Sequence, residues 1–107
     1  MSREVIYDFE WDATKARSNE QKHDVTFDEA AAIFLDPLAL TVYDETSSHE
    51  EERWFTLGYD ARGRLLAVAH TYQMIGATSA RIRIISARKA SKRERNHYEN
   101  QTDQVKP

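Results

Sequence analysis

Four side chains early in this 107-residue sequence have types and spacing suited to chemistry: Lys15, Asn19, Lys22 and His23. They fall at i, i+4, i+7 and i+8, so on a helix of 3.6 residues per turn they share roughly a quarter of the circumference. Two ammonium groups, an amide and an imidazole on one stripe can hold an anion and move a proton. A solvated face explains the lysines equally well, and His23 is the member worth testing first.

A second group lies in the last third of the chain. Arg81 and Arg83 alternate with Ile82 and Ile84, and Arg88, Lys89, Lys92, Arg93 and Arg95 follow. On a strand the alternation sends the isoleucines into a core and the arginines to the opposite face. A guanidinium fork fits phosphate oxygens in a bidentate manner, so such a strand can bind an RNA backbone. Alternatively, Arg81 and Arg83 pair with carboxylates on neighbouring strands. Five of the eight residues from Arg88 to Arg95 are basic and only Glu94 is acidic, so the run calls for an anion from elsewhere.

Other chemistries find little support. The chain has no cysteine, which removes disulfides, thiolate metal sites and a cysteine nucleophile, and fits a reducing compartment. His49, His70 and His97 match no zinc spacing, and His70 sits in an apolar run where a core role is commoner than a catalytic one. No metal site or cofactor is expected. Trp11 and Trp54 suit packing more often than base stacking. There is no glycine-rich phosphate loop, nucleophile elbow or carboxylate cluster of calcium-binding spacing.

The elements that must position these groups follow from pattern. Glu4 to Phe9 reads as a strand, and Asp12 offers an N-cap to a helix reaching His23. Thr26 and Glu29 have capping-box spacing for a second short helix, which Asp36-Pro37 stops. Leu38 to Tyr43 is β-prone, and Asp44 to Glu52 is a polar loop. Arg53 to Tyr59 and Arg64 to Tyr72 form a hairpin around Asp60-Ala61-Arg62-Gly63, whose glycine can take positive φ. After a turn region from Gln73 to Ala80, the strand Arg81 to Ser86 ends with Arg88 just past it. A helix from Ala90 to Tyr98 closes the domain. The order β-α-α-β-β-β-β-α predicts an α+β fold, an antiparallel sheet with two N-terminal helices and one C-terminal helix.

Length fits one domain, residues 1–100, with a frayed tail over 101–107. The opening carries charges where a signal peptide would need an apolar run, and no segment approaches the roughly 18 apolar residues of a membrane span, so a cytoplasmic location with no membrane partner is expected. The net charge of −3 conceals an asymmetry. Residues 1–60 hold 15 acidic and 5 basic side chains, and residues 61–107 hold 3 and 10. That split suggests one surface for a polyanion and an acidic remainder for a basic partner.

The chain resembles the BrnT toxin family. The resemblance is carried by Phe9-Glu10-Trp11-Asp12 near the start and Ile84-Ile85-Ser86-Ala87-Arg88-Lys89-Ala90 near the end, with Lys15, Asn19, Lys22-His23 and Phe27 in order between them. Phe34, Asp36-Pro37, Glu52-Arg53, Gly58 and Arg93-Glu94-Arg95 through Tyr98 also fit, so the match spans roughly residues 9 to 99. Asp24 stands where the family usually has glycine after Lys-His, and the segment Gln73 to Ala80 is longer than usual. The resemblance implies a RelE-like fold, RNA cleavage, and a small BrnA-like antitoxin that binds the operator DNA, with two toxins to two antitoxins.

Metal-independent RNA cleavage needs a base for the 2′-hydroxyl, a cation for the developing phosphate charge and an acid for the leaving 5′-oxygen. The expected catalytic set is His23 as base or acid with Lys22 beside it, Arg83 and Arg88 as phosphate clamp, and Arg53 as a further cation. Lys15, Arg81, Lys89, Lys92 and Arg95 are the expected RNA contacts. Two rivals remain open: a non-catalytic nucleic-acid-binding or regulatory module, and a structural protein whose basic stretch meets an acidic partner.

Overall fold

The computed structural model describes residues 5–46 and 51–105. Strand β1 (Ile6–Glu10) leads into helix α1 (Ala13–His23). Asp12 Oδ1 accepts the Lys15 amide at 2.9 Å, satisfying one of the free donors of the first turn. The helix ends on Asp24, whose left-handed φ of 56° lets its amide donate to the Glu20 carbonyl. Helix α2 (Phe27–Ala31) begins on a complete capping box: the Glu29 amide donates to Thr26 Oγ1 at 3.1 Å, and the Thr26 amide donates to Glu29 Oε1 at 2.8 Å. A 3-10 turn, Ala32–Leu35, follows and stops before Pro37.

The remaining strands are β2 (Leu40–Tyr43), β3 (Trp54–Tyr59), β4 (Leu65–His70), β5 (Gln73–Met74) and β6 (Ser79–Lys89), followed by helix α3 (Lys92–Val105). They make one sheet in the order β1-β6-β4-β3-β2, with β5 also paired to β6. The expectation of a wholly antiparallel sheet is corrected at one edge. Strand β1 runs parallel to β6, with Phe9 opposite Ile82 and Glu10 opposite Arg83. Only hairpin neighbours are bound to be antiparallel. The chain leaves β1 through two helices, re-enters the sheet at the far edge, and meanders back until β6 arrives beside β1 in the same direction.

Each face has its own core. Helices α1 and α2 cover the face carrying Leu66, Val68, Ile82, Ile84 and Ala87, packed with Val25, Phe27 and Ile33. On the opposite face Tyr98 of α3 packs against Leu57, Leu65 and Ala67. The 3-10 turn lies so close to β3 that a Cβ on Gly58 would stand 2.9 Å from the Ile33 carbonyl oxygen, which explains a residue without a side chain in mid-strand.

Strand β6 alternates as expected through Ile84, with Ile82 and Ile84 buried and Arg81 and Arg83 half-buried. A bulge then resets it, because Ile84 lies opposite His70 and Ser86 opposite Ala69, leaving Ile85 as the extra residue. Ala87 returns to the core. The strand continues to Lys89 through pairing with Leu66, so Arg88 lies inside it, opposite Ala67, rather than past its end. Helix α3 starts at Lys92 because Ser91 and Glu94 form a second reciprocal cap, with bonds of 2.8 and 3.1 Å, and it runs seven residues beyond Tyr98. No helix among the described residues is long and apolar enough to cross a membrane.

Candidate active site

Arg83 points from the face of β6 opposite Ile82 and Ile84, and its guanidinium is held by the Glu51 carboxylate. The same Glu51 oxygen lies 3.6 Å from Arg53, the residue just before β3. Arg81, two residues earlier on β6, reaches Asp8 of β1 at 3.4 Å. Arg81 and Arg83 open into a cavity of about 280 Å3 that Glu10, Glu51, Glu52, Thr71, Tyr72 and Gln73 complete. Two guanidinium groups therefore converge on one oxygen at a surface recess, with a third beside them.

Arg88 is engaged elsewhere. Its two terminal nitrogens donate to the two Glu94 oxygens at 2.7 and 2.9 Å, tying β6 to the first turn of α3. Arg88, with help from the Ser91 amide, holds the Glu94 carboxyl down at about 2 despite partial burial. At about 3.3 Å per residue, the five-residue interval separates Arg83 and Arg88 by roughly 16 Å along the strand. They do not converge on a single phosphate, contrary to the sequence expectation, because the strand continues where a turn was anticipated.

The α1 stripe divides in the same way. Asn19 turns inward, its amide nitrogen donating to the Val25 and Ala87 carbonyls at 3.0 and 2.8 Å while its oxygen accepts the Ala87 amide at 3.0 Å. It fastens the helix to β6 by satisfying backbone groups beside the bulge. Lys15, Lys22 and His23 are exposed, and their helix packs on the sheet face away from Arg83. Lys89 and Lys92 are also exposed, whereas Arg95 is half-buried with its guanidinium 3.4 Å from the Tyr59 hydroxyl.

The charge split along the sequence is largely folded onto itself. Acids of the first sixty residues meet bases of the rest in Asp8–Arg81, Glu51–Arg83, Glu29–Arg62 and Glu29–Arg64. Asp60 joins the last group with a fully buried side chain that Arg64 grips at 2.8 Å. Burial alone would raise the Asp60 carboxyl, but the Arg64 amide and guanidinium outweigh it and hold it below the usual range. Glu29 lies at about 2, chiefly through the Thr26 amide.

His70 is buried on the α1 side of the sheet. Nδ1 lies 2.9 Å from the Thr71 carbonyl and Nε2 lies 2.7 Å from Thr56 Oγ1, while Phe34 meets the ring edge-on at 5.0 Å. Burial pushes its pKa below the ordinary histidine value. Sequence reasoning missed Glu51 and Tyr72 as site residues. Glu51 lay within a polar run taken as plain loop, and its nearness to Arg53 was the available signal. His49 falls outside the described residues. Among the described residues no group of three or more His, Asp or Glu side chains is placed to hold a metal ion.

A family model described as the ribonuclease toxin BrnT of type II toxin–antitoxin systems matches residues 11–94. The chain belongs to the BrnT family. The matched span takes in Glu51, Arg53, Tyr72, Arg81 and Arg83, and it ends on Glu94, the partner of Arg88. The crystal structure of the Brucella abortus ribonuclease toxin BrnT superposes with a TM-score of 0.54 at 20% identity, covering 85% of this chain and 100% of that one. At that identity the likeness shows the shared α+β fold. A sequence comparison with curated proteins finds no match. Membership of this BrnT family makes RNA the substrate class and an antitoxin the partner.

Proposed function

We propose that this BrnT chain is a metal-independent endoribonuclease that cuts RNA at the Arg81–Arg83 cavity, with Arg53 reaching it through Glu51, and arrests growth until a BrnA-like antitoxin covers it. The reading is carried by the convergence of Arg53 and Arg83 on one Glu51 oxygen, because two forks aimed at one anionic oxygen are what a scissile phosphate requires. When a phosphate takes that place, Glu51 is displaced by about one hydrogen-bond length and lies beside the 2′-hydroxyl as its base. Glu51 takes the 2′-hydroxyl proton as the 2′-oxygen closes on phosphorus, the bond to the 5′-oxygen breaks and that oxygen takes a proton from water, and a 2′,3′-cyclic phosphate remains. Arg81, with exposed Lys89 and Lys92, extends the phosphate track. Lys15, Lys22, His23 and Arg95 add long-range attraction, and Arg88 holds β6 to α3.

The sheet with helices on both faces accords with a RelE-like arrangement, and two toxins with two antitoxins are proposed, the antitoxin carrying the operator contacts in a cytoplasmic complex. The deciding assay incubates purified chain with RNA in EDTA beside Arg83→Ala. Cleavage by the parent to cyclic-phosphate ends and its loss in the variant support the reading. RNA that is bound but left intact returns the chain to the class of non-catalytic nucleic-acid-binding modules.

A further inference from the structure

Tyr72 borders two cavities, the arginine recess and a second, aromatic one of about 330 Å3. Tyr7, Phe34, Trp54 and Tyr72 wall the second cavity, and Thr41 and His70 supply its polar atoms. Its volume lies at the lower end of small-molecule pockets, about 300–1,000 Å3. The rings are braced: Tyr7 and Phe34 lie 5.6 Å apart, and Tyr43 meets Trp54 edge-on at 5.0 Å. Tyr72 itself is 43% exposed, so one ring face stays available at the mouth. Trp54 opens β3 and Arg53 immediately precedes it, so the aromatic wall and the cation group lie at one end of the sheet on opposite faces, and Tyr72, which borders both cavities, joins them around that end.

The polar edge of the cavity has a fixed sense. The Thr71 carbonyl can only accept, so His70 Nδ1 carries the ring proton. Nε2 of the neutral ring then accepts the Thr56 hydroxyl at 2.7 Å, and Thr56 Oγ1 accepts the Thr41 hydroxyl at 2.8 Å. With its proton committed inward, Thr41 has only lone pairs left for the cavity. A planar guest with an N–H donor beside a π-face satisfies both walls, which describes a nucleobase; at position 4 of a pyrimidine that donor is cytosine's amine, where uracil carries a carbonyl.

We infer that the aromatic cavity is a nucleobase subsite: it stacks an unpaired base of single-stranded RNA against Tyr72 and Trp54, accepts an amino proton at Thr41 Oγ1, and directs the adjoining phosphates past Tyr72 to Arg81 and Arg83. The identity of the guest rests on the ribonuclease reading above. Cytosine and uracil are the same size and differ in amine against carbonyl, so the pair isolates the Thr41 contact from stacking strength.

The test uses the whole chain and 2′-deoxy tetranucleotides of cytosine and of uracil, which lack the attacking hydroxyl and report binding without cleavage. Affinities come from tryptophan fluorescence and calorimetric titration. The parent prefers the cytosine tetramer by about fivefold, as one modest hydrogen bond allows. Tyr72→Ala weakens both tetramers by roughly ten- to a hundredfold, the range for a lost stacking platform, while Tyr72→Phe keeps both. Thr41→Val abolishes the preference and leaves uracil binding unchanged. Parent-like binding by Tyr72→Ala, or a preference that survives Thr41→Val, overturns the subsite. Ring-dependent binding by a parent that leaves RNA intact overturns the ribonuclease reading and keeps the subsite. Cleavage that needs Arg83 but ignores Tyr72 does the reverse.

Discussion

The Tyr98 hydroxyl donates to Asp36 Oδ2 at 2.6 Å, joining helix α3 to the corner where the 3-10 turn passes into β2. The Tyr59 amide donates to the same oxygen at 2.9 Å and the Leu38 amide to the other. Burial would raise the Asp36 carboxyl, but these three donors outweigh it and hold it below the usual range. Tyr98, buried beside that carboxylate, is pushed above the ordinary tyrosine value. Sixty-two residues of chain are closed by one charge-assisted bond.

Tyr98→Phe removes that bond while keeping the ring against Leu57 and Ala67. Hydrogen bonds to charged groups contribute about 1.5–3 kcal/mol, so the variant loses about 2 kcal/mol in urea unfolding at pH 7. The pH dependence has a definite sign. Because Asp36 is lowered by folding from 3.8, its contribution is present above that value and is lost as pH falls through the folded pKa. The gap between parent and variant therefore holds down to about pH 4 and narrows on further acidification.

Arg83→Ala and Arg88→Ala separate function from scaffold. Removing a cation that meets the transition-state phosphate costs about 3 kcal/mol, on the order of a hundredfold in cleavage rate. Arg83→Ala accordingly abolishes growth arrest and leaves the Tm within about 2 °C, because both side chains of its ion pair with Glu51 keep about 40% of their surface in solvent. Arg88→Ala frees Glu94 at the start of α3 and lowers stability by about 1 kcal/mol, with cleavage per folded molecule within a few-fold of the parent. Equal cleavage loss in both variants at matched folding would return Arg88 to the phosphate clamp.

What could be read from the sequence was whatever is encoded within a few residues. Asp12, the Thr26–Glu29 box and the Gly63 turn are local hydrogen-bond patterns, and each is made as its spacing dictates. The alternation of Arg81 to Ile84 was legible for the same reason. The bulge at Ile85 was not, because an extra residue is defined only against β4. Nor was the inward turn of Asn19, whose partner Ala87 lies 68 residues away. The cavity is the extreme case, since Glu10, Glu51, Tyr72 and Arg83 come from four separate segments.

His70 makes the fold sensitive to mild acid. Its neutral ring accepts from Thr56, and a second ring proton would break that bond inside the core. The folded pKa is lowered from 6.5, so the unfolded chain binds more protons between the two values. Stability is full above about pH 6.5 and is lost as pH falls through the folded value. Urea midpoints measured from pH 7.5 to 5 decline for the parent and decline less for His70→Gln, which starts lower because its amide does not fit between Thr56 and Phe34. Parallel slopes would remove His70 as the titrating group.

Asp24 occupies the left-handed C-cap of α1 at φ 56° and ψ 37°, with its amide on Glu20 and its carbonyl accepting Arg64 at 3.1 Å. A left-handed residue with a Cβ is disfavoured by about 1–2 kcal/mol, aspartate lying at the mild end. Its carboxylate also stands at the negative end of the helix dipole, which is unfavourable by a few tenths of a kcal/mol. Glycine removes both penalties, against about 0.5–1 kcal/mol for its greater unfolded-state freedom. Asp24→Gly therefore gains about 0.5 kcal/mol, whereas Asp24→Val, stiff and branched at Cβ, loses more than about 1 kcal/mol. Thermal unfolding of the three proteins gives the order Gly, Asp, Val. Because α1 packs on the sheet face away from Arg83, RNA cleavage by Asp24→Gly stays at the parental rate once folding is matched. A change of tenfold or more would bring the neighbouring Lys22 and His23 into the chemistry and require the RNA to wrap the sheet edge to reach them.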